Sequence, residues 1–167
     1  ILTTQFEKAK DPELRKDLFD KYLSLYDSGA INSWDLVDVS ANRFGKVLVN
    51  EPKAIEFLLK RARSKNLWIQ RSAVILTFPM IAQFDMAPTI AVSEELIDHP
   101  HDLIHKAVGW ALREMGKKDL RALRDFLEQH SATMPRTALR YAIEKLSEKE
   151  RQDWLSRKAQ AQQGRGR

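Results

Sequence analysis

Helix-start signals recur along this chain at short intervals, and strand signals do not accompany them. Asp11-Pro12-Glu13 sets a capping acid before a proline suited to a first turn. Asn32 precedes Asp35 by three residues, a variant of the capping box, and Ser147 with Glu150 forms another. Asn66 opens the run Leu67–Leu76, Asp102 opens Leu103–Met115 before Gly116, and Pro135 begins a further run. Asn-Gly and Asp-Gly hairpin turns are absent, and so is sustained apolar–polar alternation. The pattern predicts helices near 12–26, 33–48, 52–63, 67–82, 88–97, 102–115, 119–129, 135–146 and 148–158, joined by short connections.

A weak internal repeat adds to this. Arg71-Ser72-Ala73-Val74, His105-Lys106-Ala107-Val108 and Arg140-Tyr141-Ala142-Ile143 share one pattern, at spacings of 34 and 35 residues. Periods of this length suit stacked helical hairpins of the tetratricopeptide or HEAT type. The expectation is therefore an all-α, HEAT-like helical-repeat solenoid of stacked antiparallel helix pairs; a plain helical bundle is the alternative. At 167 residues, with 43% apolar side chains, the chain fits one domain with a core of its own.

Charge narrows the partner only slightly. The net charge is +5, but Arg157, Lys158, Arg165 and Arg167 carry four of those charges, leaving residues 1–156 at +1. The domain is thus expected over 1–156, followed by a basic disordered tail over 157–167. Any anionic partner must be met by local patches. Absent Cys excludes disulfides, thiol nucleophiles and thiolate metal sites. Leu67–Phe84 is the most apolar stretch, but with Arg71, Gln70, Pro79 and Gln83 it reads as a buried helix, not a membrane span. No secretory pattern opens the chain, so a cytoplasmic location is expected. Residue 1 is Ile, which reads as a fragment or processed product.

Several residues fit a plain core poorly. On the helix near 33–48, Trp34, Val37, Ala41, Phe44 and Leu48 make one apolar stripe, and Asp38 lies at its flank one turn after Trp34. A carboxylate there calls for a cationic partner, solvent exposure or a functional use. Arg71 is the sole charge in eighteen residues and calls for a carboxylate or phosphate. One repeat separates it from Asp38, so an Arg–Asp bridge between stacked helices is one reading and a functional pairing another; the two are compatible. On the helix near 102–115 the core stripe is Ile104, Ala107, Val108, Ala111 and Met115. Trp110 lies off its centre, near Lys106 and Leu103, and either packs on the next repeat or faces a groove. His99, His101 and Asp102 cluster, but no third ligand pattern accompanies them, and Pro100 and Asp102 read as turn and cap; no metal is expected.

The segments Asn32-Ser33-Trp34-Asp35-Leu36-Val37-Asp38, Asn66-Leu67-Trp68-Ile69-Gln70-Arg71-Ser72-Ala73 and His105-Lys106-Ala107-Val108-Gly109-Trp110-Ala111-Leu112-Arg113-Glu114 together resemble the AlkD-like DNA alkylation repair family, over about residues 10–155. That resemblance implies a HEAT-like repeat DNA glycosylase acting on double-stranded DNA that contains cationic N3- or N7-alkylated purines, without deep base flipping. It implies Asp38 as the catalytic carboxylate, Trp34 and Trp110 as aromatic residues framing the lesion nucleotide, and Arg71 on the DNA backbone. Lys106 joins Arg71 as a candidate phosphate contact. It implies no metal and no organic cofactor. Monomeric action, association with the nucleoid when bound to DNA, and absence of the family's additional N-terminal helices complete the expectation. A noncatalytic HEAT-like module that binds DNA or a protein partner is the other reading, with Asp38–Arg71 as an inter-repeat bridge.

Overall fold

The computed structural model describes residues 1–164, with side chains through 157. The described residues are helical, with no strand among them. In order they form α1 (Leu2–Lys8), α2 (Pro12–Asp27), α3 (Trp34–Phe44), a 3₁₀ turn η1 (Gly45–Leu48), α4 (Ala54–Ala62), α5 (Leu67–Ile75), α6 (Phe78–Ala82), α7 (Ala87–Leu96), α8 (Asp102–Lys118), α9 (Leu120–His130), α10 (Arg136–Ala142) and α11 (Glu148–Gly164).

Local chemistry accounts for many boundaries. The Asp11 carboxylate accepts from the Glu13 N–H at 3.2 Å, and the Asn66 side chain accepts from the Trp68 N–H at 2.8 Å. Ser147 Oγ accepts from the Glu150 N–H at 3.3 Å, one half of the expected capping box. Other boundaries move. Asn32 does not cap α3: Ser33 takes that position, and its hydroxyl bonds the Asp35 carboxylate. His101, not Asp102, caps α8, its ring accepting from the Leu103 N–H at 3.1 Å.

The expected helix over 67–82 is two helices. Pro79 lacks an N–H and cannot continue the ladder of α5, so it starts α6 instead. The expected helix over 33–48 tightens into η1 at Gly45, where a Cβ would stand 2.3 Å from the Leu76 carbonyl oxygen. Gly116 does not stop α8. The helix runs on to Lys118, and the glycine instead admits Leu123, whose Cδ2 would lie 2.4 Å from an added Cβ. α1 was not expected; it is anchored by Phe6, fully buried with its ring 4.6 Å from that of Phe44. α11 reaches Gly164, six residues beyond the expected end and into the segment expected to be disordered. Its Ala, Gln, Lys and Arg content favours helix, and Arg157 is held by Glu128 at 2.7 Å and by the Trp154 ring. Residues 165–167 of the expected tail lie outside the described residues.

Packing sets the site. α3, α5, α8 and α10 pack one on the next as a row. α4 and α7 pack on each other behind that row, and α9 packs on α8. α4 also packs on α5 and α7 on α8, while α6, between α5 and α7 in the chain, packs on η1 and α8. Val37, Ala41, Phe44 and Leu48, and Ile104, Ala107, Val108, Ala111 and Met115, are buried as their stripes require. Trp34 departs from its stripe and is 56% exposed.

Candidate active site

Four consecutive helices of the row each contribute to one cavity of about 520 Å³, lined by Trp34, Asp38, Arg71, Leu103, Lys106, Trp110, Arg113 and Tyr141. α3 presents Trp34 in its first turn and Asp38 one turn later, on the same face. α5 brings Arg71, α8 brings Lys106, Trp110 and Arg113 along one side, and α10 brings Tyr141. All five residues singled out in the sequence thus meet at one place.

Asp38 and Arg71 form a bidentate pair. Arg71 Nε donates to Asp38 Oδ1 at 2.8 Å and Nη2 donates to Oδ2 at 2.7 Å. Nη1 donates to the Leu103 carbonyl at 2.5 Å. The side chain of Arg71 is 6% exposed and that of Asp38 14%. The guanidinium therefore faces inward and acts as a clamp: it fixes the carboxylate plane and ties α3, α5 and α8 together. A phosphate contact, as expected of Arg71, has only that small exposed edge to use. Asp38 keeps unused lone pairs on both oxygens, since each can accept a second bond, and its exposed edge faces the cavity.

The rim is aromatic and cationic. Trp110 stands edge-on to Phe78, with ring centres 4.8 Å apart, and its indole N–H donates to Glu114 at 3.2 Å. Its position off the core stripe thus reflects both packing and a cavity wall. Lys106 pairs with Asp102 at 2.8 Å, an exposed contact that raises the lysine pKa and lowers that of the aspartate. Arg113 is held by Glu144 and lies 3.7 Å from Glu114.

Arg113, Tyr141 and the Leu103 carbonyl were not singled out from sequence. Tyr141 occupies the repeat position of Lys106, and Arg113 follows Lys106 by seven residues on one helix face, so register could have flagged both. The Leu103 carbonyl left no side-chain signal. The histidines serve as hydrogen-bonding groups: His99 Nδ1 accepts from the His101 N–H at 3.0 Å and its other ring nitrogen meets Gln70 at 3.1 Å. Burial, then the neighbouring His101 and His105, push the His99 pKa down. Among the described residues no group of three or more His, Cys, Asp or Glu is placed to hold a metal ion. No helix among them is long and apolar enough to cross a membrane.

Fold and cavity define a class: all-helical proteins that use the face of one helix row to offer a clamped carboxylate between indoles and cations. Within that class the family follows from sequence comparison. The profile of the DNA alkylation repair enzyme family matches residues 1–146, and the chain belongs to that family. No curated protein matches it. Membership gives a role in DNA repair, with DNA as substrate.

Proposed function

We propose that this chain is an AlkD-like DNA glycosylase, built as a HEAT-like solenoid, that hydrolyses the N-glycosidic bond of cationic N3- and N7-alkylated purines in duplex DNA. The observation that carries this reading is the placement of one clamped carboxylate at the cavity edge, one turn from an exposed indole.

The chemistry asks for little else. An alkylated purine already bears positive charge, so its departure needs no general acid. The bond between C1′ and the base nitrogen breaks, its electron pair neutralises the base, and the sugar becomes oxocarbenium-like. Asp38 stabilises the positive charge developing there and orients a water. That water adds to C1′ and passes its proton by way of the Asp38 carboxylate to solvent, leaving an abasic sugar. Trp34 and Trp110 offer electron-rich faces to the cationic nucleotide. Arg71 is a positioning residue that holds the carboxylate in register, and Lys106 reaches the flanking phosphate. No metal or organic cofactor is called on, because the leaving group supplies its own activation. The chain acts as a monomer on DNA in this reading.

The row α3–α5–α8–α10, backed by α4, α7 and α9, supports the solenoid. The test is release of N7-methylguanine from alkylated duplex DNA by this chain. Release that is lost in Asp38→Asn supports the proposal. Duplex binding with no base release favours the noncatalytic DNA-binding module instead. Absence of both would overturn the assignment altogether.

A further inference from the structure

Phe84 is an anomaly on two independent counts. It is 68% exposed, and its backbone takes φ 61°, a left-handed conformation that large L-residues rarely adopt. Its surroundings explain the conformation but not the residue. The Phe84 N–H donates to the Ile81 carbonyl at 3.0 Å, and the Asp85 N–H donates to the Met80 carbonyl at 3.0 Å. These are the two bonds that close a helix with a left-handed residue after its last turn, a place where glycine is the usual occupant. An exposed aromatic ring at this position is costly for the backbone and is not buried in the core.

The ring has a cationic neighbour. The Lys118 ammonium lies 5.5 Å from the ring centre, and Lys118 has no carboxylate partner among the described residues. Beside Lys118 lies a second hollow of about 270 Å³, lined in part by Asn42, Phe78, Glu114, Lys117 and Lys118. Asn42 stands one turn beyond Asp38 on the face that carries Trp34 and Asp38. Lys117 stands seven residues beyond Trp110 on the face of α8 that carries Lys106 and Trp110. Phe78, which floors the hollow, braces Trp110 edge-on. The hollow therefore continues the active-site surface along the same two helices, past the wall made by Trp110.

We propose that Phe84 and Lys118 form a second contact for duplex DNA, outside the cavity, to which the duplex runs on from the lesion site. Lys118 meets a backbone phosphate, and the Phe84 ring covers the apolar face of the adjoining deoxyribose. The occupant is the substrate duplex because Lys118 offers a cation without a carboxylate partner among the described residues, beside the surface to which the DNA substrate belongs. Glu114 is paired with Lys117 and bonded by Trp110, and Asp85 accepts from the Ala87 N–H, so Lys118 is the cation that the hollow leaves for a phosphate. The inference rests on the cavity being the DNA site, and it places a specific role on residues that the proposed chemistry does not use.

Phe84→Gly tests it cleanly, because glycine suits the backbone conformation and the variant folds without strain. Binding is measured by fluorescence anisotropy with an undamaged 25-base-pair duplex and with the same duplex carrying N7-methylguanine, over a series of salt concentrations. Thermal melting is followed alongside. Phe84→Gly is expected to weaken binding to both duplexes by about tenfold, with the melting temperature unchanged or raised. Lys118→Gln is expected to flatten the slope of log affinity against log salt by about one. Affinity within twofold of the parent in Phe84→Gly, or an unaltered salt slope in Lys118→Gln, overturns the inference, and leaves a protein ligand as the better occupant. Base release by the parent separates this inference from the functional proposal. A parent that releases base while Phe84→Gly binds normally refutes only the second contact. A parent that releases none while Phe84→Gly loses affinity refutes only the glycosylase.

Discussion

Replacing Asp38 by Asn removes the proposed catalytic charge and also disturbs a structural pair, and the two effects have separable magnitudes. The carboxylate now receives two donors from Arg71, at 2.8 and 2.7 Å. An amide offers one oxygen, so one guanidinium N–H is left facing an NH₂ group and the Arg71 charge loses its counter-ion. Removing one partner of a fully buried pair costs about 3–5 kcal/mol. Asp38 is 14% exposed at the edge of an open cavity, so water compensates part of the loss, and about 2–3 kcal/mol is the expected destabilisation. For a chain of this size that lowers the melting temperature by about 4–12 °C. The loss of one preorganised electrostatic group costs about 10²–10³ in rate independently of stability.

Single-turnover release of N7-methylguanine should therefore be measured well below the melting temperature of the variant, after circular dichroism has shown it folded. Asp38→Glu provides the complementary perturbation. It keeps the charge and most of the ion pair but displaces the carboxylate by one methylene, roughly 1.5 Å along an extended side chain. It should retain more stability than the Asn variant and still lose about 10² in rate, since catalysis is sensitive to placement on that scale. A folded Asp38→Asn protein that releases base within twofold of the parental rate refutes the electrostatic role. A Glu variant as active as the parent refutes the requirement for a clamped position.

Three further outcomes follow from particular contacts. Gly109→Ala sets two effects against each other. Helix propensity favours alanine by about 1 kcal/mol, but the new Cβ would lie 2.5 Å from both the Ala138 carbonyl oxygen and Tyr141 Cβ. A backbone carbonyl cannot turn aside, so a net destabilisation of about 1–3 kcal/mol is expected, read as a lower melting temperature; an increase would show that α8 and α10 can separate freely. Lys106→Ala should weaken duplex binding and flatten its salt dependence by about one phosphate contact, measured by anisotropy across a salt series, and a slope equal to that of the parent would exclude Lys106 from the backbone contacts. Alkaline stability should depend on Tyr22 and Tyr26, whose hydroxyls meet at 2.5 Å in the core. Burial, the leading cause for both, raises both pKa values, that of Tyr22 well above the usual phenol range. The unfolded chain then releases these protons first, so the stabilisation is complete below about pH 10 and is lost as pH rises through the folded-state values. Urea unfolding between pH 8 and 11 should show that loss, and the double variant Tyr22→Phe, Tyr26→Phe should show a smaller one; identical pH slopes would refute the assignment.

The helices were legible in sequence because their starts are local chemistry. Asp11, Asn66 and Ser147 each bond a backbone N–H within three residues, and no knowledge of the fold is needed to expect that. The ends were less legible because they depend on distant partners. Gly45 tightens the chain against Leu76, and Gly116 admits Leu123 from the following helix; neither contact has a signature in the residues beside the glycine. Pro79 was visible, but an apolar run concealed that it divides α5 from α6.

At the site the most informative residue was an arginine out of place. A lone guanidinium in an apolar run must be compensated, and the nearest compatible carboxylate on an apolar flank lay one repeat away. The pair Asp38–Arg71 forms with a separation of 33 residues, and the packing of α3 on α5 gives it its geometry. Arg113 and Tyr141 carried only a register signal relative to Lys106, weaker than a lone charge in an apolar run, since an arginine or tyrosine on a mixed helix face has many ordinary uses. Burial gives the arginine a structural task as well. Sequence resemblance placed Arg71 on the DNA backbone, whereas its donors turn inward to Asp38 and to the Leu103 carbonyl. The same three bonds make it the strut between α3, α5 and α8. Any displacement of those helices by a bound duplex would therefore be transmitted to the angle of the carboxylate, which gives the Asp38–Arg71 pair a reason to be bidentate: two parallel bonds fix a plane, and one does not.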